Sequence, residues 1–330
     1  MEVTPPVPAP LLQRYGRRWV LQHCLGALGL EARLEASRQR AAARIEGALA
    51  DHEGFLQPLE RVQAISAADF VHRYVRRGRP VILEGAAKAW GAAGWSPEFL
   101  AEAHGHEPII LMKMAGAEMV LRDQGATHST LGEALAGLGD GNRAYCRFLT
   151  FLERSPERLA EIDRAWLGAR KGPLSGPSSL QLFIGGANTD TALHCAIGNN
   201  LFVQLHGEKT WILYAPSWAP VLRPPMTRAP YFFSDFDPLV PDYEAMPACR
   251  HLRGYRFTLK PGDVLYNPPL WWHRVQNPTV SIGLGYRWYS LGSALRASLA
   301  MSALSVLSAN PPVWVVKRKQ LDFTKVFTDS

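Results

Sequence analysis

Thr191-Ala-Leu-His-Cys-Ala196, Gln204-Leu-His-Gly-Glu-Lys-Thr-Trp211 and Pro261-Gly-Asp-Val-Leu-Tyr-Asn-Pro-Pro-Leu-Trp-Trp-His273 are the stretches on which the fold turns. They belong to a series of short, apolar, β-prone runs at 180–184, 193–197, 201–205, 210–214, 255–259, 263–267 and 281–288, separated by Gly and Pro turns. Such a series indicates a barrel or sandwich. On a strand, residues i and i+2 point to the same side, so His194 and Ala196 face together and Cys195 faces away. His273 must arrive from another strand, after a Pro-Gly-Asp turn and a Trp-Trp pair that would pack around it. Two histidines and a carboxylate on one face of a metal leave three positions open, an arrangement that suits redox-active iron. Here the carboxylate's place in the pattern holds Ala196. The motif on both sides sets His194 and His273 apart from the other eight histidines. Those are read as surface or satisfied core residues, with His206 pointing away from the pocket or lining its rim.

Outward from these strands, 330 residues with 47% hydrophobic content fit one large β-rich domain with helical additions. The net charge of +7 comes from arginines dispersed along the chain, and no basic run is interleaved with aromatics. That describes a diffuse basic surface, not a nucleic-acid groove. Cys24, Cys146, Cys195 and Cys249 share no metal-ligand spacing and are too few to staple a chain of this length, so a reducing cytoplasm is expected. The apolar segment 20–30 is interrupted by Gln22 and His23, and the most apolar longer stretch, 290–309, carries Arg296 and six serines. A soluble protein is expected.

The first ten residues, with Pro5, Pro6, Pro8 and Pro10, read as an extended or loosely docked tail. Apolar spacing at Leu30, Leu34, Ala41, Ile45 and Leu49 predicts a helix lying on something. Ser66 caps a predicted helix reaching Arg73, and a buried strand follows at 80–83. Further strand signals lie at 109–114, 118–121 and 144–149; Ser155 and Pro156 open a predicted helix to Ala169, and 171–179 is a loop. Leu291, Leu295, Leu299, Leu304 and Leu307 form a helical face ending at Asn310-Pro311-Pro312. It either packs on its own barrel or pairs two copies of the chain. This divides the chain into an N-terminal tail and helical extension (1–59), a barrel domain (60–290) and a C-terminal helical extension (291–330).

The motifs around His194 and His273, with the frame Phe70, Gly78-Arg-Pro80, Gly85, Trp90 and Trp95, resemble the JmjC and JmjC-like (cupin-8) oxygenases, and the resemblance runs from about residue 60 to 290. It implies a mainly β protein: a double-stranded β-helix (jelly-roll or cupin barrel) with N- and C-terminal helices. It also implies Fe(II) and 2-oxoglutarate as cofactors and hydroxylation as the usual outcome. Among the family's asparaginyl hydroxylases, Lys209 matches the lysine pairing with the distal carboxylate of 2-oxoglutarate. Thr191 and Tyr145 match residues that hydrogen-bond the same carboxylate, and Asn200 matches a pocket asparagine. A buried dianion needs one charge partner with neutral donors around it, which these would supply. Those hydroxylases pair subunits through C-terminal helices, so the resemblance also implies a possible homodimer. Tyr286 stands where they have a further pocket asparagine.

Ala196 departs from the family's His-x-Asp motif, and three readings follow. Chloride or water can take the carboxylate's place, as in non-haem iron halogenases; another residue, Asp190 or Cys195, can rescue the site; or the domain is a non-catalytic binding or scaffold module. The substrate is left open among peptide, amino acid and small metabolite. The loop 216–247, with Trp218, Tyr231, Phe232, Phe233 and Phe236, is expected to shape its site. No Ser-His-Asp motif or phosphate-cradling glycine loop occurs.

Overall fold

The computed structural model describes residues 2–112, 126–139, 145–149, 151–225 and 231–308. Its strands, in chain order, are β1 (Phe55–Gln57), β2 (Arg61–Val62), β3 (Val81–Leu83), β4 (Pro108–Met112), β5 (Ala126–Thr130), β6 (Tyr145–Leu149), β7 (Ser178–Gly185), β8 (Thr189–Ala196), β9 (Asn199–His206), β10 (Lys209–Tyr214), β11 (Tyr231–Phe233), β12 (Arg253–Leu259), β13 (Val264–Asn267), β14 (Trp272–Asn277) and β15 (Ser281–Trp288). Two sheets form the jelly roll, one ordered β1-β12-β10-β14-β8-β11 and the other β2-β3-β13-β9-β15-β7-β6. Both faces of the second sheet are covered, so β9, β13 and β15 are buried almost throughout and show no polar alternation. Phe70, Tyr74, Leu100, Leu131 and Leu167 from flanking helices cover its outer face.

The other sheet's outer face is covered by α1 (Ala9–Leu25) and α2 (Glu31–Leu49). Ala41, Ile45 and Leu49 of the predicted α2 face are buried there, whereas Leu30 precedes the helix and is exposed. Trp19 meets Phe232 edge-on at 5.4 Å. The N-terminal tail is docked, not loose: Val3 is buried, and its carbonyl accepts a 2.7 Å bond from the Trp218 indole.

Several expected elements differ. The single helix from Ser155 to Ala169 is two, Pro156–Ala160 and Arg164–Ala169, because Asp163 caps a new start at Trp166 N while the Ser155 hydroxyl bonds the Phe151 carbonyl. The C-terminal face is broken at Ser298, whose extended backbone separates Leu291–Ala297 from Leu299–Ser308. Of its leucines only Leu304 is buried, beside Met301, while Leu291, Leu295, Leu299 and Leu307 are exposed. The helix Leu299–Ser308 packs against α1, where a side chain at Gly16 would meet the Ala300 Cβ at 2.9 Å. The strand signal at 118–121, part of 109–114 and the Asn310-Pro311-Pro312 stop lie outside the described residues. β1, β2, β5, β11 and β14 fall outside the predicted strand ranges, although His273 is expected to arrive on a strand and does so on β14.

Candidate active site in the barrel interior

β8 and β14 are antiparallel neighbours, and His194 is paired directly with His273. Their ring centroids are 4.2 Å apart. Each Nδ1 lies against the carbonyl two residues earlier, Ala192 at 2.8 Å for His194 and Trp271 at 2.9 Å for His273. An Nδ1–H donor leaves Nε2 as the lone-pair nitrogen, the tautomer a metal ligand requires. Burial, with a smaller push from Arg287, lowers the His273 pKa to about 4 and keeps that ring neutral.

The β8–β14 ladder contains a bulge. His273 pairs with His194 but Val275 pairs with Thr191, so Ala192 and Leu193 together oppose Arg274. The extra residue reverses the alternation and puts Thr191 on the same inward face as His194, three positions away. Arg274 pins the bulge from outside by donating to the Thr191 carbonyl and pairing with Asp190 and Asp237 at 3.1 Å each. Asp190 is therefore held on the outer face. Cys195 is fully buried opposite Phe232, its thiol pKa raised by burial. Neither proposed rescuing ligand faces the histidine pair, and among the described residues no group of three His, Cys, Asp or Glu side chains could hold a metal. Ala196 shares the inward face, and its carbonyl accepts a 2.7 Å bond from Leu270 N. Leu270 has a positive φ of 63°, a strained turn that feeds Trp271, Trp272 and His273 into β14.

Lys209, at the start of β10, is fully buried inside the barrel. Its Nζ donates to Asn277 Oδ1 and, at 3.4 Å, to the Tyr145 hydroxyl; Asn277 donates in turn to Thr189 Oγ1 at 2.7 Å. Both of these acceptors are neutral oxygens. Thr191 Oγ1 accepts from Val275 N at 3.2 Å. Asn200 pairs across the ladders with Asn267 and Arg287. Asn200 Oδ1, Asn267 Oδ1, Gln181 Oε1 and Trp211 Nε1 are buried without a partner among the described residues. Each such atom costs about 1–3 kcal/mol unless a bound molecule pairs it. The interior thus fits a polar, anionic guest at Lys209, and the histidine pair fits a metal that draws its remaining ligands from elsewhere.

The structure brings His194, His273, Thr191, Tyr145, Lys209, Asn200 and Ala196 to one interior, but not Tyr286. Tyr286 pairs with Leu180 and Leu201 and packs on the outer side beside Trp288. On β15 the inward residues are Gly283, Gly285 and Arg287, of which sequence reading missed Arg287. The available signal was the pair of alternate glycines. A Cβ at Gly283 would meet Phe202 Cζ at 2.2 Å and one at Gly285 would meet Phe183 Cε2 at 3.1 Å, so the glycines mark the crowded inner face. Of the aromatic loop, Phe233 pairs with His194 beside the site, whereas Trp218, Phe232 and Phe236 belong to the core under α1 and α2.

Comparison with known proteins gives a match to the cupin-like domain over residues 67–293. The chain is 38% identical to HSPB1-associated protein 1 of Rattus norvegicus over 148 residues, which is 42% of this chain and 29% of that protein. It is 23% identical to tRNA wybutosine-synthesizing protein 5 of Homo sapiens over 253 residues, covering 72% of this chain and 79% of the relative. It is 31% identical to Jumonji C domain-containing protein 5 of Drosophila melanogaster over 113 residues, 34% of this chain and 28% of the relative. The match takes in every strand from β3 to β15, both histidines and Lys209, and the chain belongs to the cupin-like, JmjC-type domain family.

Proposed function

We propose that this protein is a JmjC-like Fe(II)- and 2-oxoglutarate-dependent oxygenase of the hydroxylase type, with an incomplete metal triad completed by a ligand from solution. The observation that carries the reading is the direct pairing of His194 with His273 on the interior that also buries Lys209. His194 and His273 would hold the iron, their rings oriented and their Nδ1 protons kept by the Ala192 and Trp271 carbonyls. Iron, when bound, supplies the redox chemistry that couples loss of carbon dioxide from 2-oxoglutarate to oxidation of a substrate. Lys209, Tyr145 and Thr191 would hold the distal carboxylate, with Asn200 toward the cosubstrate's other end. The substrate is a peptide, amino acid or small metabolite, reached past Phe233.

The methyl of Ala196 beside His194 favours one second reading, a non-haem iron halogenase with chloride in the carboxylate's place. Four unpaired cysteines suit the cytoplasm, and no helix among the described residues is long and apolar enough to cross a membrane. The exposed Leu291, Leu295, Leu299 and Leu307 would serve a homodimer.

Metal analysis and succinate release, on protein prepared without oxygen and assayed with and without chloride, test the reading. Iron uptake should disappear in the His194→Ala, His273→Ala double variant. A wild type that neither binds iron nor consumes 2-oxoglutarate across a broad panel of peptides and amino acids is instead a non-catalytic JmjC-like binding module.

A further inference from the structure

The barrel interior carries a second cation. Lys209 lies near Asn277 and Thr189, close to the turns that join β7 to β8 and β14 to β15. His273 is four residues along β14 from Asn277, about 13 Å at the usual strand rise. Arg287 is toward that same far end, six residues along β15 from Ser281 and opposite Asn200. Between the cations lie Phe183 and Phe202, with ring centroids 5.7 Å apart. The Arg287 guanidinium is 5.4 Å from the Phe183 centroid, and Lys209 Nζ is 5.5 Å from that of Phe202. Along this interval stand Asn200, Gln181 and Trp211, each more than nine-tenths buried, with side-chain atoms that have no partner among the described residues.

Two long cationic side chains over one aromatic floor, with buried polar groups along it, match a short dicarboxylate. The geometry points to Arg287 as the barrel's second carboxylate-binding group, so that a dicarboxylate spans from Lys209 to Arg287 and is held without a metal. This rests on the reading of Lys209 as the partner of the distal carboxylate. It also answers the loss at Ala196: two neutral imidazoles compensate a cation less than a full triad does. A cosubstrate gripped at both ends by side chains owes less of its affinity to the metal.

The test is calorimetry on EDTA-treated protein with glutarate, which has both carboxylates but no keto oxygen to chelate a metal, and with pentanoate, which has one carboxylate. Wild type should bind glutarate. Arg287→Gln should weaken it about 10- to 100-fold, as expected for a charge-assisted hydrogen-bonded pair, and leave pentanoate within about twofold. Arg287→Lys should recover part of the loss, and matching circular dichroism spectra show that the variants fold. Equal glutarate affinity in wild type and Arg287→Gln, or no glutarate binding by metal-free wild type, overturns the inference. Succinate release by iron-loaded wild type is read separately. Turnover with Arg287-independent glutarate binding sinks only this inference, whereas Arg287-dependent binding without turnover upholds it and sinks the oxygenase reading.

Discussion

Lys209→Met separates a lysine kept for a ligand from one kept for the fold. The substitution preserves side-chain length and apolar bulk and removes the charge. The Lys209 ammonium is fully buried, and Asn277 Oδ1 and the Tyr145 hydroxyl are among its acceptors. Burying an ammonium costs several kcal/mol. Against that stand hydrogen bonds worth about 1.5–3 kcal/mol each for a charged donor, and the 3.4 Å bond to Tyr145 is the weaker. Removing the charge leaves Asn277 Oδ1 short of a donor, at about 1–3 kcal/mol. These terms nearly cancel, so urea unfolding followed by tryptophan fluorescence should put the variant within about 2 kcal/mol of wild type. Ligand binding has no such compensation. A carboxylate left in the barrel without its charge partner costs about 3–5 kcal/mol, or roughly 150- to 4,000-fold in Kd for 2-oxoglutarate by calorimetry. A variant that loses more than about 4 kcal/mol of stability yet binds 2-oxoglutarate as tightly as wild type would show that Lys209 is a structural cation and refute the reasoning.

Ala196→Asp restores a carboxylate on the face shared with His194, so ferrous affinity should rise about tenfold or more and any exogenous halide should be displaced; unchanged affinity would mean that residue 196 does not reach the metal. Gly283→Ala drives a methyl into Phe202 and should destabilise the protein by about 1–3 kcal/mol in urea, while the same change at Gly292, in the helix Leu291–Ala297 with nothing within 4 Å, should be neutral or stabilise by up to about 1 kcal/mol. At pH 8 a maleimide should label Cys24, which is exposed, and spare Cys146, Cys195 and Cys249, as read by mass spectrometry of tryptic peptides. Burial pushes the Cys146 and Cys249 thiols from the usual value near 9 up to about 12. Because those folded-state values are raised, the stability the neutral thiols contribute is intact below about pH 9 and is lost as pH rises toward 12, which alkaline unfolding curves should show.

The barrel strands were legible because they are short, apolar and punctuated by Gly and Pro, signals written locally in the chain; β15 is read with its observed limits, Ser281–Trp288. The histidine pair was legible for the same reason, since the surrounding motif marks His194 and His273 without knowledge of their partners. A strand bearing His273 was expected, but the limits of β14 were not, because Trp272 and His273 follow Pro268 and Pro269, which read locally as loop. The helix that breaks at Ser298 was read as continuous because leucine spacing reports a face and not a backbone turn.

Which side chains share the interior was a different matter. Strict alternation puts Thr191 and His194 on opposite faces; only the bulge, in which Ala192 and Leu193 oppose Arg274 more than eighty positions away in sequence, turns them together. A bulge is a property of two paired strands, so one strand's residues cannot announce it. The choice between Tyr286 and Arg287 was likewise hidden, because β15 is covered on both faces and its burial runs almost unbroken from Ser281 to Trp288. With no polar side to contrast, hydrophobicity carries no phase; the alternate Gly283 and Gly285 hint at it, and pairing with β9, which sets Arg287 against Asn200, decides which residue enters the barrel.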